Sequence, residues 1–180
     1  MNRNTEPVAP IISARYLGIS ARPDGFGFVV IEDTIALDCG MRMCERTQSV
    51  DCLGQQFERI LRMYGPTEVV IMEAESSGAP TKRTEILKSI DGAADRKNIE
   101  VIRIDDKSLH EHFRKFNAES KYEIALIVTR ILPELAWRLP PRRKPWQSEQ
   151  RRTSIFEAAA AVIAHAKLWE STAVSRHSPP

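Results

Sequence analysis

The sequence predicts a three-layer α/β domain with a mixed sheet, and three observations lead to that prediction. The N-terminal quarter contains three strand-like segments separated by turn-sized gaps, a pattern typical of an antiparallel meander. From residue 50 onward the apolar residues change period, and helical segments alternate with strand-length apolar runs. An alanine-rich helical segment then closes the chain. Strands that pair antiparallel first and alternate with helices later are expected to share one sheet with helices packed against it.

Five strands are predicted. The first two, "ARYLGIS" and "FGFVVIE", flank the turn "ARPDGF", which contains the proline, aspartate and glycine that turns favour. The third, "TIALDCGMRM", follows after a tight connection. The fourth, "TEVVIMEAE", is a continuous apolar run, as expected of a strand buried on both faces. The fifth is "IEVIRID".

Four helices are predicted. The first, "VDCLGQQFERILRMYG", carries apolar residues at helical spacing and ends at a glycine followed by proline. The second is "PTKRTEILKSIDGAADRKN", and the third is "SKYEIALIVTRILPEL", which follows the polar stretch "KSLHEHFRKFN". The last is "SIFEAAAAVIAHAKLW". We expect one domain at 14–169 between flexible tails at 1–13 and 170–180.

Composition excludes several classes of protein. A chain of 180 residues with 42% hydrophobic and 28% charged residues is typical of one soluble globular domain. The first ten residues lack the apolar segment of a secretory signal, and "AAAAVIAHA" is too short to span a bilayer, so we expect a cytoplasmic protein. Cys39, Cys44 and Cys52 lack the spacing of a metal site, and their odd number favours free thiols.

One segment is strongly basic. Residues 138–152 contain six Arg or Lys against one Glu, so this segment has an excess of +5 in a chain of net charge +2. A basic patch on an otherwise slightly acidic protein indicates a polyanionic partner. A loop whose charges are simply solvated is the alternative.

Several strings resemble segments of one known family. "LGIS", "FGFVVIE", "LDCGMR", "VVIME" and "IFEAAAAVIAH", in this order, resemble the corresponding segments of RuvC-type Holliday-junction resolvases. The resemblance extends over about 15–169. It implies a ribonuclease-H-like fold, a mixed five-stranded sheet with helices on both faces, and DNA, structured or branched, as partner. It also makes a homodimer plausible, since the junction has two-fold symmetry.

The resemblance further implies two-metal hydrolysis of phosphodiesters with Mg²⁺ or Mn²⁺. Two such ions, about 3.5–4 Å apart, activate the attacking water and stabilise the leaving oxygen, and they require converging carboxylates. The family's carboxylates fall here on Ser20, Glu73, Ser154 and Glu157, so only Glu73 and Glu157 are acidic. Because a serine hydroxyl is a weak, neutral ligand, we expect metal binding at Glu73 and Glu157 to be weak or absent. Glu75 and Glu149 are nearby acids, but neither replaces the first-strand carboxylate.

Each of these residues also has a structural interpretation. Ser154 and Glu157 form the S-x-x-E signature of a helix capping box. Ser20 is consistent with a strand-end residue that satisfies nearby backbone groups. Glu73 must be exposed, paired or ligating, since a lone buried carboxylate is costly.

A second group of residues is interpreted as nucleic-acid-binding. It consists of one helix-start lysine and four residues of the basic segment: Lys121, Arg142, Arg143, Lys144 and Trp146. Guanidinium groups pair with phosphate in bidentate fashion, and tryptophan can stack on an exposed base. Alternatively, Lys121 is a solvated lysine, and Trp146 anchors its loop to the domain.

Three functions therefore stay open from the sequence. The first is a RuvC-like protein that binds structured or branched DNA and has weak or lost nuclease activity. The second is an active Mg²⁺-dependent endonuclease of the resolvase type. The third is a structural or partner-binding protein without a nucleic-acid role.

Overall fold

The computed structural model of the protein describes residues 14–44, 50–73, 81–142 and 150–167. The predicted tails and residues 143–149 lie outside this part. The elements in chain order are β1 (Arg15–Arg22), β2 (Gly25–Glu32), β3 (Ile35–Met43), α1 (Asp51–Tyr64), β4 (Glu68–Glu73), α2 (Lys82–Asp95), β5 (Glu100–Asp105), α3 (Asp106–Arg114), α4 (Lys121–Ile131), a 3-10 helix (Pro133–Arg138) and α5 (Thr153–Ala166).

The strands form one mixed five-stranded sheet in the order β3-β2-β1-β4-β5. The first three strands pair antiparallel, whereas β1 pairs parallel with β4, and β4 with β5. This confirms the predicted fold class. Because β1, β4 and β5 run in one direction, their carboxyl ends meet at one edge of the sheet. We call this the carboxyl edge.

Helices cover both faces of the sheet. α1 and α2 pack on one face around a core that includes Leu17, Phe57 and Ile71. α3, α4 and α5 pack on the other face around Met72 and Phe156. Neighbouring residues of a strand point to opposite faces, and the strands follow this rule. None of the helices in the described ranges is long and apolar enough to cross a membrane.

Two helix predictions were incomplete. The polar stretch after β5 is a helix, α3, whose first turn is capped by Asp105 accepting a hydrogen bond from the Ser108 backbone N–H. Leu109 and Phe113, four residues apart, are its buried face and were the sequence signal for it. The third predicted helix is shorter than expected: α4 ends at Ile131, and the chain continues as a 3-10 helix from Pro133. Proline has no N–H with which to continue α4.

α5 lies unusually close to β1 and β2. A Cβ atom added to Gly18 would stand 2.5 Å from the carbonyl oxygen of Ala158. A Cβ atom added to Gly27 would stand 2.5 Å from Ser154 Oγ. These glycines therefore allow the helix backbone to rest on the strands, and they bring the first turns of α5 into direct contact with β1 and β2.

Candidate functional site

α5 brings two predicted site positions onto the sheet. Ser20 of β1 and Gly27 of β2 are cross-strand partners. Ser154 lies against Gly27, and Glu157, one turn later, reaches Ser20. Both serines are completely buried. Three of the four predicted catalytic positions, Ser20, Ser154 and Glu157, thus lie along one contact between α5 and the sheet.

The capping-box interpretation of Ser154 and Glu157 is wrong. α5 begins at Thr153, and the residue that caps it, Arg152, makes no side-chain capping hydrogen bond. The Ser154 hydroxyl donates to the Arg151 carbonyl oxygen at 2.7 Å and lies 3.1 Å from Met41 Sδ. Ser154 is therefore fixed in the packing between α5, β2 and β3, and Glu157 is free to point elsewhere.

Glu157 is held by two partners. The Ser20 hydroxyl donates to Glu157 Oε2 at 2.7 Å, and Lys121 Nζ donates to Oε1 at 2.6 Å. Only 16% of the Glu157 side chain is exposed, against 48% for Lys121. Ser20 therefore bonds a carboxylate, and the alternative that it satisfies backbone groups is wrong. Lys121 forms an ion pair at this site, so the alternative of a merely solvated lysine is wrong as well.

Glu157 is stabilised as a carboxylate. Burial opposes its ionisation, but the charge of Lys121, the hydrogen bonds from Lys121 and Ser20, and the charge of Arg83 together hold the pKa of Glu157 below its ordinary value. Both of its oxygens therefore act as acceptors within the protein. A carboxylate so occupied is a poor ligand for an added cation.

Glu73 lies at the same edge but on the opposite face. Met72 pairs with Ser20 across β1 and β4, so Glu73, one residue later, points to the other side of the sheet. There it accepts a hydrogen bond at 3.2 Å from Arg103, which also bonds Asp91 of α2. Glu73 is half-exposed and paired, as its position at the end of an apolar strand required.

The residues that the structure describes do not form a two-metal centre. Within the described ranges, no group of three or more His, Cys, Asp or Glu side chains is placed to hold a metal ion. Ser20 and Ser154 are neutral, the Glu157 oxygens are taken by Ser20 and Lys121, and Glu73 faces away. Glu75 and Glu149 lie outside the described residues.

Cationic side chains line a cavity beside Glu157. A cavity of about 190 Å³ at the carboxyl edge is lined by Arg22 from the end of β1, Arg83 from α2 and Lys121 from α4. The carboxylates of Asp106 and Glu157 line it too. Sequence reasoning had singled out only Lys121 and Glu157. The available signal was position: Arg22 is two residues after Ser20, and Arg83 is the second residue of the helix that follows β4.

The basic segment is described only at its beginning and end. Arg142 is exposed and lines a neighbouring cavity of about 490 Å³, together with Lys121 and Tyr122. Lys121 lines both cavities, so cationic side chains continue from Arg142 to the carboxyl edge. The other predicted contacts, Arg143, Lys144 and Trp146, lie outside the described residues.

The fold is similar to those of solved Holliday-junction resolvases. A Thermus thermophilus RuvC in complex with its Holliday junction substrate superimposes with a TM-score of 0.66, at 17% identity over 88% of this chain and 96% of that one. The yeast mitochondrial resolvase Ydc2 gives a TM-score of 0.56, at 16% identity over 95% and 86% of the two chains. The fowlpox virus resolvase, in complex with Holliday junction DNA, gives 0.50, at 12% identity over 87% and 99%.

No protein-family model and no curated protein matches this chain. Identities of 12–17% establish the fold alone. The similarity extends over most of each chain. The chain therefore has the ribonuclease-H-like fold in its RuvC-like form.

Proposed function

We propose that this protein binds branched DNA through the carboxyl edge of its sheet and cleaves it weakly or not at all. The observation that carries the proposal is the contact of Ser20 and Lys121 with Glu157. A neutral hydroxyl and an ammonium group bond the one carboxylate, whereas two-metal hydrolysis needs several carboxylates that converge on metal ions. The described part of the site presents cationic side chains and no cluster of carboxylates, which supports binding without efficient cutting.

Two observations support DNA as the partner. Solved proteins of the same fold are bound to Holliday junctions. In this chain, the cationic side chains of Arg142, Lys121, Arg83 and Arg22 follow one another along two adjoining cavities. Such side chains contact the phosphate backbone and do not read base sequence. A homodimer, which would present two such surfaces to a two-fold symmetric junction, is part of this proposal.

Weak or lost cleavage follows from the ligand chemistry. Mg²⁺ and Mn²⁺ prefer several anionic oxygens, and each missing carboxylate weakens their binding. Within the described ranges, Glu157 is the acidic residue that bonds Ser20, and its charge is already balanced by Lys121. The protein's own residues therefore position DNA, and no hydrolytic step is assigned to them.

The test compares binding and cleavage of a labelled four-way junction by the full-length wild type. We expect binding that prefers the junction to a duplex of the same length and weakens steeply with salt. We expect no cut strands in Mg²⁺ or Mn²⁺. A Ser20→Asp variant asks whether one carboxylate restores cutting, and Ser20→Asn is its matched uncharged control.

Two outcomes would favour the other functions. Cleavage by the wild type that disappears in Glu157→Gln would establish an active metal-dependent endonuclease and refute the loss of activity. A wild type that shows no salt-dependent retention of any DNA would favour a structural or partner-binding protein.

A further inference from the structure

We propose that the 190 Å³ cavity at the carboxyl edge binds a backbone phosphate of the DNA directly, through Arg22, Arg83 and Lys121 and without a metal ion. The inference rests on the proposed function, which it deepens by naming the ligand of the site. In this view the cationic side chains take the place that metal ions would hold against the phosphodiester.

The cavity is cationic where a metal site would be anionic. Three cationic side chains and two carboxylates line it, which gives a net charge of +1. One of these carboxylates, Glu157, already accepts from Lys121 and Ser20. The other, Asp106, lies 3.7 Å from His110. Among the described residues, neither guanidinium group forms a hydrogen bond with a carboxylate that lines the cavity, although Arg22 lies 3.8 Å from Asp24 outside it.

Arg22 has hydrogen-bonding capacity to spare. Its Nε atom is buried and makes no hydrogen bond within the described part of the chain. The nearest carboxylate oxygen, from Asp24, is 3.8 Å away, and the other oxygen of Asp24 is held by Arg151 at 2.9 Å. A buried donor without an acceptor is costly, and a bound group that accepts from it would remove that cost.

Arg83 is held in position and remains available. It is half-buried, and its guanidinium donates one long hydrogen bond, 3.4 Å, to the Met72 carbonyl oxygen at the end of β4. Burial and the nearby charge of Arg22 lower the pKa of Arg83, against the opposite effect of Glu157 and Glu73. Two guanidinium groups that repel each other are both stabilised by an anion placed between them.

A phosphodiester suits these donors better than a halide does. Guanidinium groups offer parallel N–H donors that match two oxygens of one phosphate. The Lys121 ammonium adds a point charge beside them. The same chemistry would also accept inorganic phosphate, so the experiment must separate the two sources.

The experiment uses the full-length protein and a fluorescent four-way junction, with dissociation constants measured over a range of salt concentrations. The variants are Arg22→Gln and Arg83→Gln. The matched control is Arg130→Gln, which removes the same charge from the far end of α4. Each cavity variant is expected to weaken binding about tenfold. Each should also reduce the slope of log K against log salt by about 0.9, the loss of one phosphate contact. The control should change neither the dissociation constant nor the salt slope by more than twofold. EDTA should not weaken binding by the wild type.

A second arm locates the phosphate on the DNA. Methylphosphonate linkages, which carry no charge, are placed one at a time around the branch point. One position should weaken the wild type about tenfold and have no further effect on Arg83→Gln, because the two changes remove the same contact. Should Arg83→Gln fold poorly, the same coupling is measured with Arg22→Gln.

The outcomes are separable. If the wild type binds the junction and both cavity variants bind it with the same affinity and the same salt slope, this inference is overturned and the proposed function stays intact. Loss of wild-type binding in EDTA overturns it as well, since a metal ion would then make the contact. If inorganic phosphate raises the melting temperature of the wild type but not of Arg83→Gln, while junction binding is unaffected by the variants, the site takes free phosphate and the DNA contact is refuted. A wild type that binds no DNA refutes the proposed function itself.

Discussion

The Ser20→Asp substitution places a second carboxylate against Glu157. Ser20 is completely buried, and its hydroxyl lies 2.7 Å from Glu157 Oε2. Two unit charges about 4 Å apart repel by about 4 kcal/mol at the effective dielectric constant of about 20 that suits protein sites. We therefore expect the free energy of unfolding at pH 7 in EDTA to fall by about 4 kcal/mol relative to Ser20→Asn, which has the same shape and no charge. For a domain of this size, that corresponds to a melting temperature lower by roughly 8–16 °C.

The loss should depend on pH. The repulsion raises the pKa of one carboxyl of the pair above its unfolded value of about 4. The folded state then binds more protons than the unfolded state, so the penalty grows as pH rises through about 4 and is complete above the raised pKa. At pH 3 the Asp and Asn variants should be equally stable. Mg²⁺ or Mn²⁺ should stabilise Ser20→Asp and leave Ser20→Asn unchanged, because only the former offers two adjacent carboxylates.

Urea denaturation followed by circular dichroism measures both effects. Equal stability of the two variants at pH 7 in EDTA would refute the reasoning, since it would mean that residue 20 and Glu157 are not adjacent in the folded protein. A penalty that does not change between pH 3 and pH 7 would also refute it, because the cause would then be steric.

Three further results are expected. The wild type should lose stability as pH falls below about 5, because Glu157 ionises more readily in the folded state. The free energy of unfolding of Glu157→Gln, from urea titrations at pH 3 to 7, should depend less on pH in the acid range. Gly18→Ala should destabilise by about 1–3 kcal/mol, since its methyl group would collide with the Ala158 carbonyl; an unchanged melting temperature would show that α5 does not rest on β1. Gly92→Ala, in α2 with no atom closer than 3.6 Å to the added carbon, should instead stabilise by about 0.5–1 kcal/mol, as thermal unfolding would reveal.

The sequence predicted the sheet well because the signals of its strands are local. Turn-sized gaps separate the first three strands, and the continuous apolar run at Val69–Met72 reflects burial on both faces of the sheet. α3 was missed because only Leu109 and Phe113 of its nine residues are buried, so its apolar signal is weak. The end of α4 was signalled by Pro133, but the helical spacing of the apolar residues continues past it and led to a helix that was predicted too long.

The candidate site was predictable in position and only partly in contacts. Ser20 and Glu157 were singled out through the resemblance to RuvC-type resolvases. The partners of Glu157 were not, because Lys121 and Ser20 are 36 and 137 residues away from it in sequence. The face on which Glu73 lies depends on the register between β1 and β4, which no local pattern determines.

The close packing of Ser154 against Gly27 restricts how this protein can change. A carboxylate at position 154 needs volume that the contact between α5, β2 and Met41 does not provide, whereas position 20 already faces a polar partner. Of these two positions, only the one on β1 can therefore take a carboxylate through a single substitution. A carboxylate at position 154 requires β2 and α5 to move apart, which would disturb the buried contacts of the whole helix. Laboratory evolution for DNA cleavage should accordingly yield changes at Ser20 early, and changes at Ser154 only after substitutions that widen the space between α5 and the sheet.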